Sequence, residues 1–138
     1  MDCANSHIAY AQAGAQRGIS VVAWPGLDKR ATIPAALGAG APLWSHLAFS
    51  RDGTRLLATT ALPEPLAVLW ERESPDTPFV QSMAEPLRVQ HTEHACSFFP
   101  GSRETCCFVG ARHVGRLQVA CDAGSASPHA QATAACCC

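Results

Sequence analysis

Apolar residues in this chain come in short runs separated by turn-forming residues, a pattern that predicts strands rather than long helices. HIAYAQ (7–12) and ISVVAWP (19–25) flank the glycine-containing turn AGAQRG, which predicts a hairpin whose second strand ends at Pro25-Gly26. RATIPAAL adds a short outer strand whose pairing Pro34 limits. WSHLAFS (44–50) and RLLATTA (55–61) flank RDGT; there Asp can hydrogen-bond locally and Gly admits backbone angles closed to residues with a Cβ. Pro63 and Pro65 mark a loop before LAVLWERE (66–73). In that segment Leu66, Val68 and Trp70 alternate on one face and Ala67, Leu69 and Glu71 on the other. Apolar character on both faces predicts burial between two neighbouring sheets.

The polar connection SPDTP leads to an outer strand in FVQSMAEPLRV, and EHACSFFPGS, ETCCFVGA and ARHVGRLQVA continue the order. Setting Phe49 against Phe98, 49 positions apart, brings Arg51-Asp52-Gly53 opposite Pro100-Gly101-Ser102 and LLATT opposite the CCFVG region that ends at Gly110. The best helical stretches, TIPAALGAG and QATAA, are broken by Pro or Gly or too short to stand alone. The expected fold class is therefore all-β. Residues 121–138, ending in CCC, are biased in composition and are expected to form a flexible Cys/Ala-rich tail beyond a β segment spanning 1–120.

Composition narrows the function classes. A length of 138 residues fits one domain, and 48% hydrophobic residues can supply a core. A formal net charge of −1 offers no basic field for general nucleic-acid binding. No run reaches the roughly 18 apolar residues of a membrane span, and MDCANSH lacks the regions of a secretory signal, so an intracellular setting is expected. Eight cysteines, Cys3, Cys96, Cys106, Cys107, Cys121 and Cys136–Cys138, form no persuasive disulfide framework, and thiols are expected.

Candidate chemistry is sparse. His91 and His94, with Glu93 between them, form HTEH, which is not the HExxH of zinc hydrolases and sits in a predicted loop. Cys106 and Cys107 read as packing or surface thiols without a visible activating base. Asp52 reads as a turn residue, and Trp24, Trp44 and Trp70 as sheet-packing aromatics, with Trp44 near the entrance to its unit. No phosphate loop, dinucleotide fingerprint or serine-nucleophile elbow is present. No catalytic residue, metal site or cofactor is expected.

HIAYAQAGAQRGISVVAWPGLDKR, LWSHLAFSRDGTRLLATTALPEPLAVLWERES and EHACSFFPGSRETCCFVGARHVGRLQV, taken in succession over residues 7–119, resemble WD repeats. The resemblance is to those of the cilia- and flagella-associated WD-repeat family. It implies a partial β-propeller of about two to three incomplete four-stranded blades. Its structural repeat positions fall on Phe49, Asp52, Gly53, Trp70, Phe98, Gly101 and Gly110. The chain departs from the fullest pattern with Glu71 after Trp70, Gly101-Ser102 in place of a second DG, Leu117 at an aromatic position and no clear GH pair.

The resemblance further implies a non-enzymatic scaffold of the ciliary or flagellar axoneme, cytoplasmic before assembly. Axonemal proteins, tubulin and dynein-regulatory subunits are its implied partners in a large hetero-assembly, without nucleic acid or membrane. Too few blades for ring closure imply a fragment, an incomplete product or a blade set completed by another chain. The rival reading is a small His/Cys metal-dependent or redox-active enzyme or regulator.

Overall fold

The computed structural model describes residues 2–4, 7–12, 18–34, 43–61, 65–74, 76–86, 95–100, 102, 105–109, 114–119 and 130–135. All twelve elements are strands: β1 (Asp2–Ala4), β2 (His7–Ala11), β3 (Gly18–Ala23), β4 (Lys29–Pro34), β5 (Trp44–Phe49), β6 (Arg55–Thr60), β7 (Leu66–Glu71), β8 (Val80–Pro86), β9 (Ala95–Phe98), β10 (Thr105–Val109), β11 (Val114–Val119) and β12 (Ala130–Ala135). They form three antiparallel sheets, β1-β2-β3-β4, β5-β6-β7-β8 and β9-β10-β11-β12, each in chain order. None of the three closes on itself. No helix occurs among the described residues, hence none long and apolar enough to cross a membrane.

Each predicted segment from residue 7 to 119 coincides with a strand, and the differences lie at the two ends. β1 pairs with β2 through Asp2↔Ala9, Cys3↔Ile8 and Ala4↔His7, a partnership too short to leave a periodic signal. β12 pairs along the whole of β11, from Val114↔Ala135 to Val119↔Ala130. It contains QATAA, a helical candidate by composition, and lies within the stretch expected to be a flexible tail. Ladder hydrogen bonds from β11 override the weak helix propensity of a five-residue segment. Where incomplete four-stranded units were expected, β1 and β12 complete the first and third sheets.

Packing concerns the side chains of β2 to β10. Two apolar clusters lie on opposite faces of the middle sheet. Leu47, Phe49, Leu56, Ala58, Val68 and Trp70 meet Ala9, Ile19, Val21 and Ile33 of the first sheet. On the other face Ala48, Leu57, Ala67, Leu69 and Met83 meet Phe98, Cys106 and Phe108 of the third. Position in the stack therefore decides the sequence pattern. β6 and β7, buried on both faces, are nearly continuous apolar runs, whereas edge strand β4 shows only Ile33 fully inside. The sheets meet through their leading strands, β5 lying against β1 and β2, and β9 against β5 and β6.

Local irregularities have identifiable supports. The register between β5 and β6 shifts around Ser45, whose hydroxyl lies 2.9 Å from Thr59 Oγ1 and donates to the Thr59 carbonyl at 3.2 Å. Gly18 sits where a Cβ would come within 2.8 Å of the Ile33 carbonyl oxygen, so close approach of β3 to β4 requires glycine. Beyond β3, Trp24–Gly26 turn through a cis Trp24–Pro25 bond, and Leu27 N–H donates to the Ala23 carbonyl at 2.7 Å.

Candidate functional site

The best-defined local constellation is the turn between β5 and β6 and its attachment to the end of β7. Ser50 N–H donates to the Arg55 carbonyl at 2.9 Å, and Gly53 N–H to the Ser50 carbonyl at 2.8 Å. Asp52 Oδ1 accepts from the Ser50 hydroxyl at 2.7 Å, the Thr54 hydroxyl at 2.8 Å and the Thr54 N–H at 3.1 Å. Gly53 has φ of 70°, a left-handed conformation that L side chains adopt at a cost. Its carbonyl then accepts Arg72 Nε at 2.9 Å, and Arg72 N–H donates to the Thr54 carbonyl. The turn thereby anchors the exit of β7.

The 49-residue offset reappears in the hydrogen bonds. Phe99 N–H donates to the Thr105 carbonyl and Ser102 N–H to the Phe99 carbonyl, repeating the Ser50 and Gly53 pattern with one extra residue in the loop. Phe49 and Phe98 each face the preceding sheet from the end of the leading strand. The structure thus brings Phe49 and Trp70 into one cluster and Phe98 into the other, with Asp52 and Gly53 in the turn; Gly101 and Gly110 lie outside the described residues. Sequence reading missed Ser50, Thr54 and Arg72 as partners of this turn, and Phe79, on whose ring the Arg72 guanidinium lies. The string Ser50-Arg51-Asp52-Gly53-Thr54 signals the hydroxyl contacts, but nothing local points to Arg72, which lies 19 residues from the Gly53 carbonyl it binds.

Asp52→Ala is expected to cost about 1–3 kcal/mol, because three donors lose one charged acceptor. Asp52→Asn is expected to retain most of that stability. Urea denaturation of the two variants checks both.

The tryptophans divide. Trp70 is buried and meets half-buried Trp44 edge-on, with ring centroids 5.5 Å apart and planes at 67°. Trp24, expected inside a strand, is 57% exposed because the chain leaves β3 into the turn at that residue. Sheet packing therefore holds for Trp70 and Trp44, and not for Trp24.

His91, Glu93 and His94 lie outside the described residues. Among the described residues no three or more His, Cys, Asp or Glu side chains stand together in a way that would hold a metal ion. Cys96, Cys106 and Cys107 are not in disulfide bonds. Burial pushes the Cys106 thiol up to about 12, neighbouring Cys96 and Cys107 adding to the rise and Arg55 opposing it. Its unfolded counterpart ionises near the ordinary value of 9.0, so this contribution to stability is present below that pH. It is lost as pH rises from there towards 12. At pH 8, Cys106 is expected to react with iodoacetamide at least about tenfold more slowly than half-buried Cys107. Peptide mapping of the alkylated protein reads that ratio.

Fold and site together define an all-β protein of three stacked antiparallel sheets, with a hydrogen-bonded turn between β5 and β6 of the middle sheet. No protein-family model matches the chain, and no curated protein matches its sequence.

Proposed function

We propose that the chain is a partial WD-repeat β-propeller, its sheets serving as successive blades, and that it acts as a structural protein-interaction module. The observation that carries this reading is the apolar character of both faces of the middle sheet, each packed on a neighbour through adjacent leading strands. Radially arranged blades pack in this manner, and a chain with too few blades for a ring leaves faces and edges for partners. The repeated turn at Ser50–Gly53 and Phe99–Ser102 supports an internal repeat.

Its setting follows from the sequence resemblance alone: a ciliary or flagellar axoneme, with tubulin and dynein-regulatory subunits as proposed partners. The mechanism is geometric and needs no reacting group. Loops and sheet edges offer contacts, and partner surfaces add stability by binding the folded form. A redox or metal-dependent activity draws less support, since Cys106 is buried and held neutral, the opposite of an activated thiolate.

The test is fractionation of detergent-extracted cilia from cells expressing the tagged chain. Retention on the axoneme, with release by high salt, is the expected outcome. Complete recovery in the soluble matrix would remove the axonemal reading.

A further inference from the structure

The β5–β6 turn and the connection from β7 to β8 emerge at the same end of the middle sheet and border an open cleft of about 580 Å³. Its charged groups differ in what they present to an incoming ligand. Arg55 Nε pairs with Glu71 Oε1 at 2.6 Å, and the arginine side chain is 12% exposed against 37% for the glutamate. Arg72 is 7% exposed, gives its Nε to the Gly53 carbonyl, and stacks on Phe79 with the guanidinium carbon 4.5 Å from the ring centroid. Burial lowers its pKa and Asp76 raises it, so the nearby carboxylate supports the charged form. Each guanidinium is thus engaged through its Nε, Arg55 by Glu71 and Arg72 by the Gly53 carbonyl.

The carboxylates face outward. Glu73 lines the cleft and is exposed, and so is Asp76, whose charge reaches Arg72, so two exposed carboxylates stand on this side against the single exposed guanidinium of Arg51 in the β5–β6 turn. Pro78 and Val80, both exposed and Val80 by 65%, supply an apolar wall beside those carboxylates. A lysine or arginine side chain matches this pairing, with its aliphatic stem along Pro78 and Val80 and its cationic head towards Glu73. An anionic ligand would meet the exposed carboxylates first. Val80 also begins β8, the edge strand of its sheet, whose outer side has no paired strand among the described residues. An extended backbone can approach there.

We propose that this cleft is a docking site for an extended basic segment of a partner protein, one lysine or arginine entering between Glu73 and the Pro78–Val80 wall. The proposal rests on the protein-interaction reading above and gives that module a partner chemistry.

The probe is a fluorescein-labelled peptide of alternating lysine and valine, compared by anisotropy with its glutamate–valine counterpart at low salt. The lysine peptide is expected to bind and the glutamate peptide to fail. The double variant Glu73→Lys/Asp76→Lys is expected to weaken binding about five- to twentyfold, and Asp28→Lys, a charge reversal in the connection between β3 and β4, to leave it unchanged. Val80→Ser is expected to weaken it about twofold or more through loss of the stem contact. Circular dichroism confirms that each variant retains its strand content. Absence of lysine-peptide binding, or equal weakening by the cleft variant and by Asp28→Lys, overturns the proposal. Axonemal retention with failed peptide binding sinks the cleft alone; peptide binding by a chain absent from the axoneme sinks the axonemal reading and leaves the cleft standing.

Discussion

Replacing Trp70 with alanine is expected to destabilise the folded chain by about 3–5 kcal/mol, measured as the loss in unfolding free energy in urea. Trp70 lies on the face of β7 that meets the first sheet, in one cluster with Phe49, Leu56 and Val68. Its ring also meets that of Trp44 in an edge-to-face contact. Truncation removes both the buried area and the aromatic pair, and surrounding strands fixed by ladder bonds on either side cannot collapse into the space. Domains are stable by only about 5–15 kcal/mol, so the variant loses a large share of that margin. Trp70→Phe keeps a ring in the cluster and is expected to recover more than half of the loss. Equal destabilisation by phenylalanine and alanine would show that the indole shape, rather than burial of an aromatic ring, holds the two sheets together.

Leu56→Ala and Leu69→Ala are expected to cost about 2–5 kcal/mol each, although the two side chains point to opposite faces of the middle sheet. Leu56 pairs across β6 and β7 with Trp70 and packs on the first sheet, while Leu69 packs with Leu57 on the third. Both are fully buried. If only two of the sheets formed a stable layer pair, one of these substitutions would be nearly neutral, within the roughly 0.5 kcal/mol typical of surface positions. Comparable large losses are therefore a direct solution test of the three-sheet stack. Because the residues share no cluster, the double variant also separates the two interfaces. Near-additive losses fit packing against two separate layers, whereas strong coupling would mean that strain passes through the β6–β7 pair.

Much of the strand pattern was legible because its causes are local. The glycine-containing AGAQRG segment separates β2 from β3, the Asp52-Gly53 pair fixes the turn between β5 and β6, and Pro63 and Pro65 separate β6 from β7. The double-sided apolar run Leu66–Trp70 even announced that its sheet would be covered twice, as it is. The turn role of Asp52 follows from chemistry within two residues on either side. By contrast β1 and β12 carry no such signal. Three residues and an alanine-rich hexamer become strands only because β2 and β11 offer them a ladder.

The cleft was not legible at all. Arg55, Glu71 and Glu73 are ordinary strand-end charges in the sequence, and only the meander brings Arg55 opposite Glu71 and folds Pro78 and Val80 back beside them. Burial then hides the cations and leaves the carboxylates outside, a sorting that net charge cannot reveal. Trp24 shows the same limit in reverse, since its apolar context predicted a core residue and the path of the chain after β3 turned it outward. By itself the sequence determined the strands, their turns and the double burial of the middle sheet, because those depend on residues within a few positions of one another. Tertiary structure alone decided the end strands, the exposure of Trp24 and the charge of the cleft, because those depend on which segments the ladders bring together and which side chains they shield from water.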